Sequence, residues 1–518
     1  MSIRIIRWWF PFNITDMNFT TFTVLRTVFI FLLTAGCSKE LLAQEQGTFI
    51  SNGKSIDIYH FDLEITKMIK EAGIPAVSLA IIDQGKIAYK QTYGVKEALK
   101  PEEADSCTVF EACSLSKSFL VYATYQLVDQ GKLDLDKPLY QYLEPGPMLD
   151  HDPRYRLITP RMVLSHSSGL EDWPNDHNPK QMDIISTPGQ KFYYSSLGYN
   201  YLGAVIESIQ KEPYDKYLEK LVLSPLQLKN TFSQFKSDTL NGVISTNPVN
   251  FAYGHDSFGK EFPKWKNYES SASSGISTTA EDYARLLLAT FDRVHLKQAT
   301  VKQILTPVVP TGIQHSKYFY GTGFEILNTS TDTIIGHGGS NPGFKAQMFY
   351  SVVNKRGLVF LTNSDLGKLI TSRINELTTK LGILEYYQQF SVDQYPSKSI
   401  SLLNLYKLNG VEAMFLEVKR LRQIKELQAN TLNQLGQLFL HQDTTISRRI
   451  LEQNIRYFPN SAYAHLLLGD LYKKMNQYEV ALKQYKRAKQ LNFKLWDISP
   501  EIDDCLLKIK EKAISKGK

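Results

Sequence analysis

Strand-like sequence occurs at two distant places in this chain, and that separation restricts the fold more than any other feature. Residues 76–82 and 86–92 are rich in Val, Ile, Leu and Tyr. Asp83-Gln84-Gly85 joins them, a turn sequence that predicts a hairpin. Short strand-like runs return only at 322–326, 333–337, 345–351 and 358–362. Between them, 112–300 reads as mostly helical with long connecting loops. Residues 55–72 read as a helix stopped by Gly73-Ile74-Pro75, and 369–382 as another. Strands at both ends of a helical middle predict one α/β (α+β) domain. Its sheet is closed by the first and last parts of the region, and a helical subdomain packs beside it. With 43% apolar residues the chain has material for a sizeable core.

A net charge of +7 over 518 residues is mild, and no basic arm is present, so no nucleic-acid partner is expected. The four cysteines, Cys37, Cys107, Cys113 and Cys505, form no C-x-x-C pair, and no metal or cofactor is expected.

Ser-x-x-Lys begins at Ser51, Ser114, Ser208, Ser233, Ser257 and Ser515, so the motif carries information only in context. Ser114-Leu115-Ser116-Lys117 opens an amphipathic run (Phe119, Leu120, Tyr122, Ala123, Leu127) that stops at Gly131. Ser114 is therefore expected in the first turn of a helix, where unpaired N–H groups favour developing negative charge. Lys117, three residues on, shares its face. A lysine in a partly dry pocket loses basicity and can activate a serine. Two further patches follow in order: Tyr193-Tyr194-Ser195-Ser196-Leu197-Gly198, then Gly336-His337-Gly338-Gly339-Ser340-Asn341 between two strand runs.

This ordered set resembles the three motifs of the serine β-lactamase and penicillin-binding-protein family. The likeness is strongest to its branch of class C-like β-lactamases, D-aminopeptidases, D-Ala-D-Ala carboxypeptidases and esterases. The stretches Leu164-Ser165-His166-Ser167-Ser168-Gly169-Leu170 and Tyr320-Gly321-Thr322-Gly323-Phe324 agree with it. The resemblance covers 50–385 and implies an antiparallel sheet. It also implies roles: Ser114 as acylated nucleophile, Lys117 as its base, and Tyr194 as a tyrosine of depressed pKa that helps to deprotonate Ser114. His337 would donate to the leaving group or position a carboxylate. Ser196, Gly338, Gly339 and Ser340 would contact substrate, with the Ser114 and Ser340 N–H groups forming the oxyanion hole. His166 reads as structural. The family's Tyr-x-Asn is Tyr194-Ser195-Ser196 here, and His337 stands where Lys is common. Both departures favour ester or peptide substrates over strong β-lactamase activity. The competing reading is a catalytically weak binding or sensing module. A purely binding descendant, however, has no need of Ser114, Lys117 and Tyr194 together.

The flanks add context. Arg26 precedes the apolar run Val28-Phe29-Ile30-Phe31-Leu32-Leu33, which reads as an export signal within residues 1–43. Leu33-Thr34-Ala35-Gly36-Cys37 resembles a lipobox with Cys37 lipidated, although Thr34 replaces the usual Leu; cleavage near Ala43 is the rival. The expected location is periplasmic or envelope-attached, with membrane contact only through that signal or lipid. Residues 386–400 read as a linker. In 401–518, Leu435-Gly436 and Phe439 recur as Leu468-Gly469 and Tyr472, which resembles a tetratricopeptide pattern and offers a protein-binding surface beside a small-molecule or peptide substrate site.

Overall fold

A computed structural model describes residues 47–516 apart from 175–180, 234–238, 241–242, 245–249, 264–270, 312–317, 384–393, 492 and 494–497. The expected export signal and Cys37 lie outside the described residues. One antiparallel sheet organises the rest. Its strands are β1 (Ala76–Asp83), β2 (Lys86–Gly94), β3 (Val309–Pro310), β4 (Tyr318–Tyr320), β5 (Glu325–Asn328), β6 (Thr333–Asn341), β7 (Phe344–Ser351) and β8 (Arg356–Thr362). The spatial order is β2-β1-β8-β7-β6-β5-β4-β3. The hairpin from the start of the region thus pairs with the last strand, β8, through Gly357↔Ile82 to Thr362↔Val77. The two separated strand regions form one sheet, as expected.

β1 is buried along its whole length because both sheet faces are covered. Side chains alternate between the faces. Val77, Leu79 and Ile81 pack with α1 (Ile58–Ala72) through Phe61, Ile65 and Ile69. Ala76, Ala80 and Ile82 join the larger core with α2 (Ser116–Asp129), α3 (Ser196–Gln210) and α4 (Ala280–Phe291). Ser78 falls on the second face and accepts a hydrogen bond from the first N–H of α4, Ala280, at 3.1 Å. That contact satisfies one orphan donor of the helix.

Three expected boundaries move. The helix foreseen from residue 55 begins at Ile58, because Lys54–Asp57 pairs as a strand with Thr48–Ser51 and Asp57 caps the helix. The strand foreseen over 322–326 is Glu325–Asn328, because Gly321 closes a turn with Phe324. The helix foreseen over 369–382 is a 3₁₀ turn at Gly367–Ile370 followed by Thr371–Leu377.

Further helical segments follow among the described residues: α5 (Lys398–Gln423, interrupted by non-helical backbone at Gly410), α6 (Ala429–Phe439), α7 (Thr444–Tyr457), α8 (Ala462–Lys474), α9 (Tyr478–Gln490) and α10 (Ser499–Lys516). α5 starts inside the expected linker, and Ile400 is buried with Leu403 against the α1 layer. Phe258 stacks edge-on against Phe439 and Tyr406, and Gln442 donates to Asp256 at 2.7 Å. The helical region is therefore packed onto the sheet domain. Gly436 faces Leu451 and Gly469 faces Tyr485, small against large, so each helix pair approaches closely.

Candidate active site

The nucleophile candidate sits where the chain turns sharply. A 3₁₀ turn, Cys113–Leu115, feeds directly into α2. Cys113 has φ of 52°, a left-handed conformation unfavourable for a residue with a side chain. The turn is wedged against β6. A Cβ on Gly339 would lie 2.7 Å from the Ala112 carbonyl oxygen and 2.9 Å from Cys113 Cβ. The expected substrate-facing role of Gly339 is corrected accordingly. Its missing side chain makes room for the nucleophile turn, and its neighbours Gly338 and Ser340 are the ones that line the cleft.

Lys117 is fully buried in the first turn of α2. Its Nζ lies 3.4 Å from Ser114 Oγ and 3.2 Å from Ser196 Oγ, and it donates to the Ser273 carbonyl at 3.0 Å. Burial lowers its pKa to about 7, and the Asp172 carboxylate opposes that fall. Its ammonium also stands 4.8 Å from the centroid of the Tyr194 ring.

Tyr194 is brought to the same place by the loop before α3. His166, buried and with φ of 52°, stacks on it at 4.1 Å between centroids and accepts the Ser195 N–H through Nδ1 at 3.0 Å. The expected depressed pKa is wrong. Burial raises the Tyr194 phenol, and the hydroxyl of Ser114 only partly offsets this. The phenol is protonated at neutral pH and is a hydrogen-bond donor or relay, not a resident base.

His337 is also corrected. Burial lowers its pKa to about 3, helped by the nearby Lys117 charge, so the ring is neutral. Its Nδ1 lies 2.9 Å from the Gly338 carbonyl, which a ring N–H must fill; that leaves Nε2 a lone pair. A neutral ring with an acceptor facing inward neither donates to a leaving group nor attracts a carboxylate.

The cation that the sequence reading missed is Lys368. It reaches the cleft from the turn after β8 and lies beside Gly338, whose Cβ direction meets its Nζ at 3.0 Å. Burial depresses its pKa, as does the Lys345 charge. Nothing around Leu366-Gly367-Lys368 marks this lysine; only the return of the chain to the sheet brings it in. Asp172 was missed for the same reason. Its carboxylate accepts the Ser196 N–H at 2.8 Å and borders Ser114, Tyr194 and Ser196 in the cleft.

The cleft, about 300 Å³, is bounded on one side by the edge of β6. β5 pairs with β6 only from Thr333 to Gly336. Among the described residues, no strand pairs with the backbone of β6 on that side from His337 onward. An extended substrate can therefore pair there while its carbonyl faces Ser114. Ser114, Lys117, Tyr194, Ser196, His337, Gly338 and Ser340 converge on one site.

The family described as Beta-lactamase matches residues 61–374. Protein flp of Staphylococcus aureus strain MW2 is 23% identical over 370 residues, covering 67% of this chain and 69% of that protein. A protein of Escherichia coli O157:H7, provisionally named a D-alanyl-D-alanine carboxypeptidase, is 26% identical over 189 residues, 31% of this chain and 44% of its own. The structure of the octameric penicillin-binding protein homologue from Pyrococcus abyssi superposes with a TM-score of 0.52 at 23% identity, over 60% of this chain and 74% of that one. The family match spans the sheet, the nucleophile turn and the β6 edge, and the chain belongs to the β-lactamase family.

Proposed function

We propose that this chain is a serine hydrolase that cleaves an amide or ester through an acyl-enzyme, with a carboxylate-bearing peptide as its substrate class. The single observation that carries the reading is Lys117. It is the one group touching Ser114 whose pKa, about 7, lets it take a proton at neutral pH. Neutral Lys117 accepts the Ser114 proton as Oγ attacks the carbonyl carbon. Tyr194, protonated and next to Ser114, hands a proton to the departing amine or alkoxide as the C–N or C–O bond breaks. The Lys117 ammonium returns its proton to the Tyr194 phenolate, which restores both groups. Water then enters and gives a proton to neutral Lys117 as its oxygen attacks the acyl carbon. Lys117 passes that proton to Ser114 Oγ as the ester C–O bond breaks, releasing the acid and free Ser114. Ser114 and Ser340 N–H groups stabilise the oxyanion. Ser196 and Asp172 hold Lys117 in place of the family's Asn.

Lys368 supplies the positive charge for a substrate carboxylate, a part first expected of His337. The carboxypeptidase name of the Escherichia coli relative supports that substrate class. Esterase and D-aminopeptidase activities use the same machinery. The chain is proposed to be exported, with 401–518 a tetratricopeptide-like region that presents a protein-binding surface.

Intact-protein mass after incubation with a reactive penicillin tests the reading, alongside Ser114→Ala. A covalent adduct on wild type that is absent from the variant is expected. Well-folded wild type that neither forms an adduct nor hydrolyses an activated ester would overturn it in favour of a binding module.

A further inference from the structure

Beside the catalytic cleft lies a second, larger cavity of about 610 Å³. It opens between α3, the segment around Phe251 and the turn between β6 and β7. Trp173, Ser274 and Asn341 line both spaces, so the two adjoin. The larger cavity is aromatic, with Trp173, Phe251, Phe262 and Phe344 in its wall. It is also acidic. Glu111 and Glu207 line it, and among the described residues around it there is no lysine, arginine or histidine.

Both carboxylates are held in place. Glu207 accepts the Tyr214 N–H at 2.6 Å, and Glu111 accepts Asn341 Nδ2 at 2.6 Å. The Tyr214 hydroxyl, in the same wall, is buried and has no hydrogen-bond partner among the described residues. Fixed carboxylates beside aromatic faces and an unused hydroxyl suit one chemical class. An ammonium on an apolar stem gains ion pairing and cation–π attraction there, whereas an anion meets two like charges.

We propose that this cavity is the acyl-side subsite and that it takes an amine-bearing apolar group. The substrate is then dipolar: a protonated amine on the acyl side of the scissile bond and a carboxylate, beside Lys368, on the leaving side. The subsite's part in turnover rests on the hydrolase reading, but its ligand chemistry does not.

The test is equilibrium binding to full-length Ser114→Ala, which cannot be acylated. Benzylamine, protonated at pH 7.5, is compared with benzyl alcohol, its neutral counterpart, by titration calorimetry. The amine is expected to bind at least about tenfold more tightly. Adding Glu207→Gln, which keeps a carbonyl for the Tyr214 N–H, is expected to remove most of that preference; Glu111→Gln serves as the second variant. Equal binding of the two ligands overturns the proposal, as does a preference unchanged in both glutamine variants. An amine preference on a wild type that forms no Ser114-dependent adduct and hydrolyses no activated ester sinks the hydrolase reading alone. An adduct without the preference sinks the subsite alone.

Discussion

Replacing Lys117 by methionine is expected to make the protein more stable in mild acid and to lose that advantage in base. The lysine is fully buried, and its pKa falls from 10.5 to about 7. The folded pKa lies below the unfolded one, so the unfolded chain binds more protons between those values, and stability rises with pH across that window. The cost of burying the group is full below about pH 7 and fades towards pH 10.5. A fall of that size corresponds to about 5 kcal/mol at pH 6 and about 2 kcal/mol at pH 9. Methionine fills similar volume without the charge. It also leaves the Ser273 carbonyl without its 3.0 Å partner, at about 1–3 kcal/mol. That loss is the same at both pH values. Urea unfolding of wild type and Lys117→Met at pH 6 and pH 9, at matched ionic strength, isolates the proton-linked part. The variant's advantage should be about 2–4 kcal/mol at pH 6 and should drop by about 3 kcal/mol by pH 9. An advantage independent of pH, or a variant less stable than wild type at pH 6, refutes the argument that Lys117 is held as a depressed base.

Three further outcomes follow from the site. In wild type, kcat/KM should rise with pH through about 7 as Lys117 loses its proton; Asp172→Asn keeps an acceptor for the Ser196 N–H but removes the charge that raises Lys117, so the rise should move to lower pH. An unmoved or upward-shifted profile contradicts that coupling. Lys368→Met should raise KM for carboxylate-bearing peptides by about tenfold to a hundredfold, and analogues capped as amides should lose less. Gly339→Ala should destabilise the fold by about 1–3 kcal/mol and cut acylation, because the new methyl drives into the Ala112 carbonyl under the nucleophile. Thermal unfolding together with adduct formation would check it.

Sequence by itself determined the parts that depend on local rules. Near-continuous apolar runs at 76–82 and 358–362 are what strands covered on both faces require, and a hairpin needs only its turn, so the sheet was legible. The Ser114–Lys117 spacing is one helical turn, so their contact was legible too. Glycine at 339 was visible, but its reason was not; the reason is the turn on another segment that packs against it. Tertiary structure alone decided the charge states. Tyr194 and His337 have neighbours in sequence that suggest catalytic groups, yet burial raises one pKa and lowers the other, and burial belongs to the whole fold. Asp172 and Lys368 lie far apart and both well beyond Ser114 in sequence, yet they line one cleft with it, and no local pattern encodes that meeting. The acidic aromatic cavity likewise comes from α3, the segment around Phe251 and the turn after β6. Each is unremarkable alone, and only close packing of distant segments gives them a common charge and shape.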